Sequence, residues 1–176
     1  MRKLMFAICV VALAAPAAAL ANNPSPGDFQ VAQKACAAQR TAMTLAVFKQ
    51  TYGANAYGKC VSTWAHKSQQ NTAAASASCQ AQKADANFAG THGGKTFAQF
   101  YGTGKSGKNA MGNCVSSTSA AATAAQSDAT VNAAKACRAE QKADAAKFAS
   151  TWGTGAAKAN AFGKCVSAKA KALQHP

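Results

Sequence analysis

The sequence predicts an all-α protein made of three disulfide-stapled helix-turn-helix repeats, packed as a bundle or as a short solenoid. Three observations carry the prediction. One motif, Cys followed by F-x-x-x-[YW]-G and then N-A-x-G-x-C-V-S, recurs three times at differing spacings. Two cysteines fall in each copy. Alanine, glutamine and lysine dominate the segments between motifs, where β-branched residues are sparse, and that composition favours helix.

The first 21 residues read as a secretory signal peptide. Arg2 and Lys3 supply a positive start, Leu4 to Ala15 an apolar run, and Ala19-Leu20-Ala21 a small-residue cleavage site, so the mature chain is expected to begin at Asn22. A spanning helix needs about 20 strongly apolar residues. The run here is short, alanine-heavy and interrupted by Pro16, and no later stretch is apolar enough to span a membrane. Cys9 lacks the small residue that a lipid-attachment site places before its cysteine. The expected location is secreted: extracellular, or periplasmic if the source has an outer membrane.

Cleavage removes Cys9 from the seven cysteines, leaving an even set that reads as a disulfide framework in an exported chain. Cross-links suit this composition. The 49% hydrophobic content is mostly alanine, which buries little area, so large apolar side chains contribute a small core.

The repeats span 22–72, 73–126 and 127–176. The first carries Cys36, Phe48, Tyr52-Gly53 and Asn55 to Ser62, with Cys60 inside that last string. The second carries Cys79, Phe97, Tyr101-Gly102 and Asn109 to Ser116, with Cys114. The third carries Cys137, Phe148, Trp152-Gly153 and Asn160 to Ser167, with Cys165. Each aromatic pair is four residues apart and shares a helical face. Gly53, Gly102 and Gly153 suit a left-handed helix terminus, and Asn55, Asn109 and Asn160 suit the N-cap of the following helix. No glycine or proline occurs from Lys59 to Ala89 or from Asn113 to Thr151, so long helices, straight or with polar bends, are expected to join the repeats.

Helical rise constrains the pairing of the cysteines. On one helix, Cys60 and Cys79 stand about 28 Å apart, beyond the reach of a disulfide, and Cys114 and Cys137 are excluded in the same way. Pairing within repeats requires a bend between the first cysteine and the aromatic pair, since Cys36 would otherwise lie about 18 Å from Phe48. Gly93-Gly94 marks such a bend in the second repeat, and Thr44 and Asp144 are candidate N-caps after one in the first and third. The predicted bridges are Cys36–Cys60, Cys79–Cys114 and Cys137–Cys165.

The F-x-x-x-[YW]-G and N-A-[YMF]-G-[KN]-C-V-S strings resemble a cysteine-bearing repeat of uncharacterised exported bacterial proteins, of the kind found in actinobacteria. The resemblance covers most of the mature chain. It implies export and the repeat, and adds nothing on function.

Gly102 to Asn109, G-T-G-K-S-G-K-N, comes within one residue of the phosphate-binding G-x-x-x-x-G-K-[ST]. Asparagine replaces the magnesium-binding hydroxyl and no strand precedes the loop, so a turn is the better reading. The carboxylates Asp28, Asp85, Asp128, Glu140 and Asp144 form no pair that the sequence places around one substrate. Asp28 and Asp128 suit helix starts, where the dipole favours a carboxylate. Glu140 and Asp144, with Lys147 close by, suit a solvated, charge-paired face. His66, His92 and His175 are dispersed, and no ligand spacing points to a metal. No cofactor is expected.

Charge is the remaining clue. Net charge falls from +14 to +12 with the loss of Arg2 and Lys3, and only Arg40 and Arg138 accompany the lysines that remain. Such a field attracts anionic polymers and surfaces. Lysine's compact charge fits diffuse attraction better than the forked recognition of phosphates or bases, so specific nucleic-acid readout is disfavoured. Candidate polyanion-binding residues are Lys59, Lys105, Lys108, Lys158, Lys164, Lys169 and Lys171. The expected role is non-catalytic binding of anionic cell-envelope or extracellular polymers. Two alternatives are a small secreted hydrolase or inhibitor with a dispersed site drawn from Glu140, Asp144 and His66, and a purely structural, disulfide-hardened spacer.

Overall fold

The computed structural model describes residues 23–104 and 106–174. The expected signal peptide over 1–21, Lys105 and His175 lie outside the described residues. The chain is all-α, and its helices run α1 (Pro26–Ala42), α2 (Leu45–Tyr52), α3 (Ala56–Ala84), α4 (Phe88–Thr91), α5 (Phe97–Tyr101), α6 (Ala110–Ala143), α7 (Ala145–Trp152) and α8 (Ala161–Gln174).

The bridges are Cys36–Cys60, Cys79–Cys114 and Cys137–Cys165, with Cα atoms 5.9, 6.0 and 6.0 Å apart, and all six cysteines are fully buried. The bends that permit them fall where capping residues interrupt the helix. Thr44 accepts from the Val47 N–H and Asp144 from the Lys147 N–H. In the second repeat Gly93 and Gly94 take φ of +64° and +77°, and Thr96 caps α5 in a capping box with Gln99.

Two long helices set the arrangement. Cys60 and Cys79 lie on the 29-residue α3, and Cys114 and Cys137 on the 34-residue α6. The Cys79–Cys114 bridge and the amide pair of Asn71 and Gln126 fix them as an antiparallel hairpin. That hairpin carries the third repeat back beside the first and leaves the second alone at the far end. The chain is therefore a bundle and not a solenoid. α1 lies antiparallel to α3, since Ser68 donates to Asp28 at 2.9 Å, and α8 lies along α6. The boundaries at 72/73 and 126/127 fall inside α3 and α6.

Two clusters of unequal size follow. The larger joins the first and third repeats around Phe48, Trp64, Phe148, Phe162 and two of the bridges. The smaller contains Cys79, Phe88, Phe97, Ala110 and Cys114. With no second repeat to pack on, this one is covered by its own insertion: α4 lays Phe88 against Phe97 with ring centroids 5.6 Å apart, and His92 stacks on Phe88 at 3.7 Å.

Several local expectations need correction. Asn55 and Asn109 make no side-chain cap bond to the helix that follows. Asn109 instead accepts from the Thr103 N–H at 2.9 Å and donates to the Thr103 hydroxyl, and Asn160 does the same to Thr154 at 3.0 and 2.8 Å. Each asparagine closes its loop, which explains the asparagine at the end of the G-T-G-K-S-G-K-N turn. Of the three glycines after the aromatics, only Gly53 has positive φ. Gly102 and Gly153 are extended, and a Cβ on either would meet the carbonyl oxygen of Ala98 or Ala149 at 2.2 or 2.5 Å, so close approach selects glycine there. Asp28 does begin a helix, in a capping box with Ser25, whereas Asp128 is exposed in the middle of α6.

Candidate functional site

Packing the first repeat against the third creates a groove between α2 and α3 on one side and α7 and α8 on the other. It consists of two cavities of about 670 and 970 Å3 that share Thr51, Tyr52, Gly163, Ser167 and Lys171. Gly163 allows the walls to meet, because a Cβ there would stand 3.3 Å from the Thr51 carbonyl oxygen.

Four lysines line the groove: Lys59 and Lys67 from α3, and Lys164 and Lys171 from α8. Among the described residues no carboxylate lines either cavity. Lys59 reaches back over Gly53, and Lys164 donates to the Thr154 hydroxyl at 2.9 Å. Lys67 lies 4.6 Å from the centroid of the Trp64 ring, and burial there pushes its ammonium below the usual lysine range. An anionic ligand would reverse that penalty by favouring the charged form.

The aromatic members are held from behind. Trp64 Nε1 donates to the Tyr52 hydroxyl at 3.0 Å, Tyr52 donates to Gln39 Oε1, and Gln39 Nε2 donates to Ser127 Oγ at 3.1 Å. Gln39 is fully buried, so the chain of bonds satisfies a polar side chain inside the core. Burial raises the Tyr52 pKa against the lowering effect of the bonds to Trp64 and Gln39. On the opposite wall Trp152 is half-buried, and its Nε1 donates to Glu140 Oε2 at 3.3 Å.

The sequence-derived lysines divide by position. Lys59, Lys164 and Lys171 come together in the groove. Lys169 pairs with Glu140 at 2.7 Å and lies 5.9 Å from the Trp152 ring centroid, so its charge is already partnered. Lys108 lies at the far end, in the turn of the second repeat, and Lys158 is exposed in the loop before α8 with φ +47°. Lys67 is absent from the sequence-derived set. Its signal is its place one helical turn after Trp64, on the edge of a buried stripe.

Glu140 and Asp144 border a separate recess with Trp152, lined only by α6, α7 and the residue between them. His66 is exposed on α3 and does not line it. The pairing expected between these carboxylates and Lys147 is not what forms: Glu140 takes Lys169, and Asp144 accepts from the Lys147 backbone. Among the described residues no three His, Cys, Asp or Glu side chains converge as a metal site, and no helix is long and apolar enough to cross a membrane.

Comparison with family models, curated proteins and solved structures gives no match. The groove's own chemistry therefore carries the functional reading.

Proposed function

We propose that this is an exported, non-catalytic protein that binds anionic cell-envelope or extracellular polymers in the groove between its first and third repeats. The supporting observation is the convergence of Lys59, Lys67, Lys164 and Lys171 on one open groove that no carboxylate lines among the described residues. Ammonium groups gathered against low-dielectric walls focus a positive field and raise the local concentration of a polyanion. Hydroxyls of Thr51, Ser62, Thr63 and Ser167 supply neutral hydrogen-bonding groups between the charges. An open trough suits a chain that passes through better than a small ligand that must be enclosed.

The buried bridges and the absence of a membrane-crossing helix among the described residues are compatible with an extracellular setting. The test is retention on an immobilised polyanion. Elution is expected at a definite salt concentration that falls markedly in Lys59→Gln/Lys164→Gln/Lys171→Gln, while Lys34→Gln/Lys95→Gln/Lys142→Gln elutes near wild type. Equal shifts in the two triple variants would mean that net charge, and not the groove, does the binding.

A further inference from the structure

The groove holds more than charge. Its walls carry two half-buried aromatic side chains, Tyr52 from the first repeat and Trp152 from the third. They occupy the same position in the repeated motif. They reach one groove because the α3–α6 hairpin returns the third repeat to the first. In the second repeat the corresponding Tyr101 packs among Phe88, Phe97 and Phe100 at the far end of the hairpin, away from the groove.

Both rings are fixed before any ligand arrives. The Tyr52 hydroxyl is tied to Gln39 and Trp64, and its ring packs on Phe48 at 5.0 Å; the Trp152 indole is tied to Glu140. A ring whose polar edge is already bonded keeps its apolar body for the ligand, with little freedom left to lose on binding. A polymer matching this surface has flat apolar faces alternating with anionic groups. Sugar rings provide the faces through their C–H bonds, and carboxylates or sulfates on the same rings provide the charges.

Resting on the reading of the groove as a polyanion site, we infer that its ligand class is an acidic polysaccharide, with sugar rings against Trp152 and Tyr52 and anionic substituents on the four lysines. Single-stranded nucleic acid also joins stacking faces to charge. The hydroxyls of Thr51, Ser62, Thr63 and Ser167 in the same groove favour the glycan, because every sugar ring of such a polymer carries hydroxyls to pair with them, whereas a nucleic-acid strand offers at most one ribose hydroxyl per unit.

The experiment measures binding of the disulfide-intact protein to polygalacturonate, heparin, inorganic polyphosphate, oligo-dT and neutral dextran. The first two separate a carboxylate from a sulfate source of the charge. Trp152→Ala is expected to weaken both acidic glycans about tenfold while leaving polyphosphate within about twofold, and Trp152→Phe is expected to restore most of the glycan affinity. Lys164→Gln/Lys171→Gln is expected to weaken all anionic ligands. If Trp152→Ala weakens polyphosphate as much as the glycans, or if oligo-dT binds most tightly and depends on Trp152, the acidic-glycan assignment falls while the polyanion reading stands. If no anionic ligand responds to the lysine variants, both fall.

Discussion

The Tyr52 hydroxyl donates to Gln39 Oε1, and this bond is a property of the repeat: Tyr101 donates to Gln82 at 2.9 Å, and Trp152 to Glu140 at 3.3 Å. Each acceptor stands three residues after the first cysteine of its copy. The bridge holds this helix against the second cysteine helix, and the bond holds it against the aromatic helix. Together they lock three segments into one unit.

Removing that acceptor costs different amounts in different copies. Gln39 also bonds Ser127 and is fully buried, so Gln39→Ala leaves Tyr52 and Ser127 without it and is expected to destabilise the protein by about 2–3 kcal/mol. Gln82→Ala loses the part-buried bond from Tyr101 and an exposed one to Ser78, and is expected to cost about 1 kcal/mol. Urea unfolding of the oxidised proteins checks the order.

Acid acts through two carboxylates. At Asp28, burial raises the pKa, but bonds from the Ser25 side chain, the Ser25 backbone and Ser68 outweigh it, and the net direction is down. At Glu140, the bond from Lys169 lowers the pKa more than desolvation raises it. A carboxylate with a depressed native pKa stabilises the fold above its unfolded pKa, near 4, and that contribution is lost as pH falls through the native value. Thermal stability is therefore expected to hold above about pH 5 and fall below about pH 4. Asp28→Asn should flatten part of that fall. Glu140→Gln keeps an acceptor for Trp152 and loses an exposed ion pair, a change of under about 1 kcal/mol at neutral pH.

The far end of the hairpin depends on its own bridge. Between Asn71 and Cys79, α3 buries only Ala75 besides the cysteine, and Asn71 ties it to Thr123 and Gln126 of α6. Cys79→Ser/Cys114→Ser is expected to open this end locally, with trypsin cutting early after Lys83 and Lys95, while the fragment joining the first and third repeats stays folded. Removal of the Cys137–Cys165 bridge should lower the stability of the whole bundle.

Glycines at related places have opposite effects. Gly153→Ala pushes a methyl into the Ala149 carbonyl and is expected to destabilise by about 2 kcal/mol. Gly112 sits in α6, where an added Cβ would meet nothing within 4 Å, so Gly112→Ala is expected to stabilise by about 0.5–1 kcal/mol. Melting temperatures of the two variants separate close approach from mere flexibility.

The disulfide pattern is legible in the sequence because helical rise acts on sequence separation alone, and Thr44, Asp144 and Gly93-Gly94 mark the bends that complete it. The roles of Asn109 and Asn160 are not, since a side chain beside a helix start can bond forward or back, and only the loop geometry decides. Asp128 suggests a helix start that does not exist, because alanine-rich α6 runs on without a break at the acid. Least legible is the partnership of the first and third repeats. It depends on the register of α3 against α6, which two long alanine-rich helices encode in a few contacts such as Asn71 with Gln126, and with it go Lys67 and the groove.

Carbodiimide coupling of the protein to polygalacturonate at low salt, followed by peptide mapping, tests the groove most directly, because the reagent joins ammonium and carboxylate groups already in contact. Binding in the groove predicts coupling concentrated at Lys59, Lys67, Lys164 and Lys171. Coupling spread evenly over Lys34, Lys83, Lys95 and Lys142 as well would contradict it.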